Sequence, residues 1–335
     1  MKIQNKKILI FGGTGSLGHE LVSRYLNDNE IWNYSRDESK HWAMKLQYNN
    51  NSKLSFVIGD IRDSNRVTST IIQIKPNIII IAAALKHIDM CELATHECIN
   101  TNLLGTKNIL DCIANNKDRL KDTLESICFI STDKACSPVN IYGMCKASSE
   151  VLMIERAFYD KEFKFVTVRY GNVLNSRGSI IPILHEIGKN PNLKEFKLTH
   201  PEMTRFVMTL SQSVDLVQQA ILKGESGDII IPKLVSMNVK DLLEIFSEIY
   251  NKPIVNTGLR PGEKMLESLI NETQSIRLIV DKDGYTHIKP HFYIDKDNVF
   301  DTIPKNYNST LNPLDKKGLE TYLNDLGLLR TDVNH

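Results

Sequence analysis

The stretch that most constrains this chain is Gly12-Gly13-Thr14-Gly15-Ser16-Leu17-Gly18. It follows the apolar, strand-like run Lys7–Phe11 and opens a helical pattern over Leu17–Leu26. Glycines at 12, 15 and 18 lack the side chains that would hold a pyrophosphate away from the backbone. A helix beginning there offers N–H donors and the positive end of its dipole. A glycine-rich turn alone says little. Between a first strand and a first helix, it predicts a dinucleotide held by Gly12, Thr14, Gly15, Ser16, Leu17 and Gly18.

The chain beyond it keeps the same rhythm. Short β-branched runs at Glu30–Tyr34, Leu54–Ile58, Ile78–Ala82, Ser126–Ser131 and Lys164–Arg169 read as strands. Several are apolar throughout, as strands buried on both faces of a parallel sheet must be. Ile88–Ala114 and Tyr142–Phe158 read as helices. The fold class is therefore α/β, a doubly wound Rossmann parallel sheet, over residues 1–175. After Ser176 the pattern loosens: Ser211–Lys223 and Val239–Tyr250 look helical and Asp228–Pro232 strand-like. Residues 176–295 are expected to form a smaller α/β lobe on the C-terminal edge of the sheet, which later segments complete. Residues 296–335 read as a polar tail ending in an amphipathic helix near Lys317–Leu326.

Composition narrows the partners. A formal net charge of +1 gives no electrostatic case for nucleic acid or an anionic membrane. No run reaches the roughly 18–20 apolar residues of a membrane span, and the polar start lacks the apolar core of a secretory signal. The cysteines Cys91, Cys98, Cys112, Cys128, Cys136 and Cys145 make no CxxC pair, so buried thiols in a reducing compartment fit better than a metal site or a disulfide framework. A cytoplasmic location is expected.

Cofactor choice is read at the end of the second strand, in Tyr34-Ser35-Arg36-Asp37. Arg36 suits a 2′-phosphate through its planar fork, and Ser35 adds a hydroxyl. That favours NADP, while Asp37 leaves NAD open by offering a carboxylate to a ribose hydroxyl. Asp60 and Ile61, after the third strand, are placed to hold adenine, and Ala82, Ala83 and Ala84 keep the wall beside the cofactor low.

Tyr142 and Lys146 stand four apart, on one face of a helix. A nearby ammonium lowers a phenol's pKa, so the tyrosine can accept a hydroxyl proton during hydride transfer. With 11 tyrosines in a lysine-rich chain, such a pair arises by chance, and its context carries the weight. Ser131-Thr132-Asp133-Lys134 follows the fifth strand, about ten residues before Tyr142, opposite the glycine-rich turn.

These segments resemble one family. Besides those quoted, it is carried by Gly59-Asp60-Ile61-Arg62-Asp63, Ala84-Leu85-Lys86-His87, Arg169-Tyr170-Gly171-Asn172-Val173, Ser176-Arg177-Gly178-Ser179, Met203-Thr204-Arg205-Phe206 and Arg260-Pro261-Gly262-Glu263-Lys264. Over roughly residues 5–270 the chain is similar to the inverting UDP-N-acetylglucosamine 4,6-dehydratases (5-epimerising), extended short-chain dehydrogenase/reductases of capsule and flagellin-sugar synthesis. Tyr142 resembles the soluble flagellin-sugar enzymes, where many relatives carry Met. Asn175 and Met265-Leu266-Glu267 depart from the usual pattern.

The resemblance implies a UDP-sugar pocket formed by Lys86, His87, Asn172, Val173, Ser179, Thr204, Arg205, Arg260 and Glu263. Arg205 and Arg260 would suit the diphosphate, and Glu263 a ribose diol. Lys86 and Asn102 would also touch the cofactor. It implies oxidation at sugar carbon 4 with Tyr142 as base and Thr132 steadying the carbonyl. Lys134 would remove the carbon 5 proton and Asp133 would protonate the departing carbon 6 hydroxyl, with NADP recycled. Those roles ask for a neutral Lys134 and a protonated Asp133. No metal is called for, and a homo-oligomer, dimer or hexamer, is expected. A retaining dehydratase would show Glu in place of Lys134, and a 4-epimerase Ser-Ser or Thr-Ser in place of Thr132-Asp133. A non-catalytic NADP sensor would have lost Tyr142 or Lys146.

Overall fold

The structure is a computed structural model describing residues 2–293 and 306–332. The six expected strands are β1 (Lys7–Phe11), β2 (Glu30–Ser35), β3 (Leu54–Ile58), β4 (Ile78–Ile81), β5 (Ser126–Ile130) and β6 (Lys164–Val168), each within a residue of its expected bounds. Between them lie α1 (Ser16–Tyr25), α2 (Glu38–Gln47), α3 (Ser64–Ile74), α4 (Ile88–Leu93), α5 (Thr95–Cys98), α6 (Gly105–Asn115), α7 (Lys117–Leu120) and α8 (Ile141–Tyr159). Of the helices outside the expected set, α2 is largely polar, while α3 carries an apolar stripe of Val67, Ile71 and Ile74.

The strands pair in parallel in the order β3-β2-β1-β4-β5-β6, the order of a doubly wound dinucleotide-binding sheet. All four isoleucines of β4 are buried, each contributing about 1.5–3 kcal/mol of transfer free energy. Val67, Ile71, Ile109, Ile113, Met153 and Ala157, from α3, α6 and α8, cover one face of the sheet. Leu21 and Val22 of α1 help to cover the other.

The single helix expected over Ile88–Ala114 is broken. Ala94 leaves helical geometry at φ −116°, ψ 52°, and Ile99–Leu104 forms a π-helical turn. The polar side chain of Asn102 gives the reason. Its Oδ1 accepts from Leu85 N–H at 2.8 Å, and its Nδ2 donates to Leu85 C=O at 2.8 Å. The widened turn thus aims a buried amide at the loop after β4, as π-bulges often do at functional sites.

The rest comprises β7 (Asn172–Val173), α9 (Ile180–Lys189), β8 (Phe196–Leu198), β9 (Thr204–Met208), α10 (Leu210–Lys223), β10 (Ile229–Ile231), β11 (Val235–Asn238), α11 (Val239–Tyr250), β12 (Ile254–Asn256), β13 (Ser268–Ile270), β14 (Leu278–Val280), β15 (Thr286–Ile288), β16 (Tyr307–Asn308), β17 (Pro313–Leu314) and α12 (Lys316–Asp325). This half is shared between two cores. Val214 and Val217 of α10 pack with α1, β10 extends the main sheet parallel to β6, and β15 and β14 add antiparallel edges. A second core gathers Ile181, Leu184, Phe196, Leu242, Phe246, Leu319 and Leu323, so α12 packs into the lobe. Of the polar tail, residues 294–305 and 333–335 lie outside the described residues. Among the described residues, no helix is long and apolar enough to cross a membrane.

Candidate active site

The crossovers from β1 and β4 leave in opposite directions, which opens a crevice at the C-terminal ends of these neighbouring strands. The glycine-rich turn lies there. Gly12 has φ +87°, and a Cβ on it would sit 2.6 Å from Ala83 N, so the turn is pressed against Ala82 and Ala83. A Cβ on Gly18 would sit 2.1 Å from Gly13 O, so α1 packs directly on the turn. Side chains of Asp37, Asp63 and Asn140 cap α2, α3 and α8, but Gly15, the N-cap of α1, makes no such bond. Close backbone and an uncapped helix end fit a pyrophosphate.

Around this turn the remaining cofactor candidates divide. Thr14 Oγ1 donates to Ser35 Oγ at 3.1 Å, and Ser35 Oγ lies 2.7 Å from Nε2 of the buried His41. Arg36 is exposed, with its guanidinium 3.7 Å from Asp60. Asp37, which left NAD open, instead caps α2: Oδ1 accepts from Lys40 N–H at 3.1 Å, and Oδ2 lies 2.8 Å from Lys40 Nζ. Asp60 turns its carboxylate to Arg62, at 2.9 and 2.7 Å, and Ile61 is buried in the core. Adenine would therefore meet the backbone here rather than these side chains.

Residues 175–179 cross the glycine-rich turn. Arg177 N–H donates to Ser16 Oγ at 3.0 Å, and its guanidinium donates to Thr14 C=O. Lys86 Nζ donates to Arg177 C=O. A Cβ on Gly178 would lie 2.9 Å from His87 Cε1, which ties the crossing to the loop after β4. Burial, then the nearby Arg177 charge, pushes the Lys86 ammonium down. Neither cation forms an ion pair among the described residues, so both remain available to an anion. The motif containing Arg177 was legible in the sequence; its place over the turn was not.

At the end of β5, Thr132 caps a 3₁₀ turn, Asp133–Ala135. Thr132 Oγ1 donates to Asp133 Oδ1 at 2.9 Å, and Asp133 N–H donates to Tyr170 C=O at 2.9 Å. Asp133 is 0% exposed, and its Oδ2 has no hydrogen-bond partner. Lys134 Nζ donates to Asp133 Oδ1 at 3.0 Å and Asn172 Oδ1 at 3.2 Å, and lies 3.6 Å from Glu267 Oε1. Burial opposes this ammonium, but Asp133 and Glu267 outweigh it and hold Lys134 above the usual lysine range. The neutral Lys134 expected from the sequence is thus not the resting state. Two carboxylates overcome desolvation.

Tyr142 and Lys146 are both buried on α8. Burial pushes the phenol up to about 12; Lys134 is the cation that draws it back, with a hydrogen bond to Thr132 assisting. Lys146 Nζ donates to Ile130 C=O at 2.7 Å and lies 4.5 Å from the Phe129 ring centroid. Burial pushes it down to about 8, against the pull of Glu150.

The substrate candidates also divide. Asn172 and the half-buried Val173 form β7 beside Lys134. Ser179 stands at the N-terminus of α9 with its Oγ buried and unpartnered. Thr204 is turned away, its hydroxyl 2.8 Å from Ser309 Oγ. Arg205 is buried, donates to Thr204 C=O at 2.8 Å, and acts electrostatically on Lys134 and Glu267. Arg260, with 65% of its side chain exposed, pairs with Glu263 at 2.5 Å. Sequence reasoning missed Glu267, whose only signal was an acid shortly after a recognised turn motif.

The comparisons agree with this architecture. A family model described as polysaccharide biosynthesis protein matches residues 8–289. A Rickettsia prowazekii protein named UDP-glucose 4-epimerase is 39% identical, covering 85% of this chain and 83% of its own. A Campylobacter jejuni protein named UDP-N-acetylglucosamine 4,6-dehydratase (inverting) is 34% identical, covering 93% and 89%. The crystal structure of Pen from Bacillus thuringiensis matches with a TM-score of 0.88 at 29% identity, over 98% of this chain and 100% of that one. The chain belongs to the polysaccharide biosynthesis protein family, within the extended short-chain dehydrogenase/reductases that include nucleotide-sugar dehydratases and epimerases.

Proposed function

We propose that this protein catalyses 4,6-dehydration of UDP-N-acetylglucosamine with inversion at carbon 5, using NADP. The observation that carries the reading is the Thr132-Asp133-Lys134 turn at the C-terminal end of β5, with Thr132 and Asp133 buried and Tyr142 beside it. Oxidation at carbon 4 alone needs Tyr142 and Thr132. Loss of water needs a further acid and a further base, and Asp133 and Lys134 are that pair.

Tyr142 removes the proton of the carbon 4 hydroxyl while Thr132 steadies the oxygen. When bound, the dinucleotide supplies the acceptor of the carbon 4 hydrogen and its donor to carbon 6. Lys134 removes the carbon 5 proton, made acidic by the neighbouring ketone. Asp133 protonates the departing carbon 6 hydroxyl.

Gly12, Thr14, Gly15, Ser16, Leu17, Gly18 and Ala82–Ala84 would line the pyrophosphate and nicotinamide, with Lys86 and Arg177 as its cations. NADP is favoured over NAD because Arg36 is exposed beside Ser35 while Asp37 is occupied by its cap. Asn102 serves the cofactor indirectly, by fixing Leu85. His87, Asn172, Val173 and Ser179 would hold the sugar nucleotide, with Arg205 near the sugar. Arg260 and Glu263 would join after opening their mutual pair, and Thr204 supports the wall. The enzyme is proposed to act in the cytoplasm as a homo-oligomer.

The Rickettsia relative's name favours a second reading, a 4-epimerase. One experiment separates the two. Incubation with UDP-N-acetylglucosamine in deuterated water, followed by NMR, should yield a 6-deoxy-4-ketosugar inverted at carbon 5 and deuterated there. A 4-epimer that retains its carbon 6 hydroxyl would establish the second reading. Retained configuration at carbon 5 would mark a retaining dehydratase.

A further inference from the structure

Glu267 reaches the catalytic turn from a segment more than a hundred residues away. It directly precedes β13, and its side chain is 3% exposed. Ser309 holds its backbone: Glu267 N–H donates to Ser309 Oγ at 3.0 Å, and Glu267 C=O accepts from Ser309 N–H at 2.8 Å. Oε1 then lies 3.6 Å from Lys134 Nζ, and Oε2 lies 3.7 Å from Lys264 Nζ without a hydrogen bond. An ammonium has three protons. Those of Lys134 have Asp133 Oδ1 and Asn172 Oδ1 as acceptors, and Glu267 is the remaining anion beside it.

In a dehydratase this arrangement raises a chemical difficulty. A base must present a lone pair, and a lysine between two carboxylates presents none. Resting on the dehydratase reading, we propose that Glu267 is the positioning residue that makes Lys134 a base: it takes a proton from Nζ as the sugar enters, which leaves a neutral amine facing carbon 5.

The transfer breaks Nζ–H and forms Oε1–H, so a charged pair becomes a neutral one. The amine then takes the carbon 5 proton, and the C–H bonding pair passes into the enolate. Lys134, 3.0 Å away, passes that proton to the Asp133 carboxylate, which gives it to the departing hydroxyl, and Glu267 returns its own to Nζ. Solvent supplies the proton added to the other face of carbon 5 and takes up the one removed by Tyr142.

The charged groups around the pair suit this shuttle. Burial and Asp133 raise the Glu267 carboxyl, while Lys134, Arg205 and Lys264 draw it down; the net direction is upward. Arg205, from β9, also opposes charge on Lys134. Tyr142, from α8, completes the ring of titratable groups.

The test is Glu267→Gln, with carbon 5 exchange in deuterated water and product formation measured against pH. The wild-type rate should be nearly independent of pH around neutrality. The variant should bind NADP and the UDP-sugar normally but lose about 10²-fold or more in kcat at neutral pH. Its rate should climb with pH, about tenfold per unit, as hydroxide replaces the missing acceptor. In the resting enzyme, ¹³C-lysine NMR should show the Lys134 titration roughly one unit or more lower. Glu267→Asp, which keeps the charge on a shorter arm, should lower kcat, leave KM unchanged and keep the flat pH profile. A Glu267→Gln rate that falls equally at every pH, or that matches wild type, overturns the proposal while leaving the dehydratase reading intact. No carbon 5 exchange in the wild type removes both. If Glu267→Gln does not fold, a Glu267→Asp profile that rises with pH likewise overturns it.

Discussion

Arg169 and Glu150 form a paired ion bridge out of reach of solvent, with Nη2 2.5 Å from Oε2 and Nε 3.0 Å from Oε1. Ser131 donates to the same carboxylate at 2.5 Å, and Arg169 Nη1 donates to Leu269 C=O at 2.7 Å. The bridge therefore joins the end of β5, just before Thr132, to α8 one turn past Lys146 and to β13. Removing one member leaves a buried charge unpaired. Glu150→Ala should lower unfolding stability by about 3–5 kcal/mol, measured by urea denaturation, and reduce activity through the displaced turn. A loss below about 1 kcal/mol would show that the pair contributes little beyond packing.

Lys146 carries a pH signature. Its folded value of about 8 lies below the ordinary lysine value of 10.5. Between these two values the unfolded chain binds more protons, so stability should rise with pH across that window. Relative to Lys146→Met, the wild type should gain on the order of 1–2 kcal/mol between pH 8 and about 9.5. Equal pH dependence in the two proteins would show that the buried ammonium carries no such cost.

Arg36 and Arg177 should separate in their cofactor effects. Arg36→Ala should weaken NADP binding by about 1–3 kcal/mol and barely change NAD binding, because only the 2′-phosphate distinguishes them. Arg177→Ala should weaken both similarly, since it crosses the turn assigned to the shared pyrophosphate. Calorimetric titration with each dinucleotide reads the difference. A selective loss in Arg177→Ala would move the 2′-phosphate to that arginine.

His287 ties the sheet edge together, with Nδ1 2.9 Å from Asp228 Oδ2 and Nε2 3.1 Å from Asp281 Oδ2. Burial opposes its charge, but the two carboxylates outweigh it and raise the imidazolium above its ordinary value of 6.5. A raised pKa means the stabilisation is complete below about 6.5 and is lost as pH rises through the folded value. His287→Gln should therefore cost more stability at pH 6 than at pH 9, by thermal unfolding. The same loss at both pH values would identify a neutral hydrogen-bonded histidine.

The chain's local pattern was sufficient for β1 through β6, because apolar runs bounded by turn residues are read over a few neighbours. The glycine turn and the close spacing of Thr132, Asp133, Lys134, Tyr142 and Lys146 were legible for the same reason. The helix α2 was not, since its polar sequence carries little apolar signal and begins only with the Asp37 cap, whereas Val67, Ile71 and Ile74 do mark one face of α3.

What the sequence by itself determined is the succession of β1 through β6 and the clustering of Thr132, Asp133, Lys134, Tyr142 and Lys146, both set by residues close in the chain. Tertiary structure alone decided the partners of those side chains. Lys134 is charged because Asp133, its chain neighbour, and Glu267, brought in from the second half of the chain, flank it, and Lys146 turns to Ile130 because burial on α8 leaves that carbonyl within reach. Arg177 lies over Thr14 although more than 160 residues separate them in the chain. Charge state depends on distance and desolvation, and neither is a property of sequence spacing.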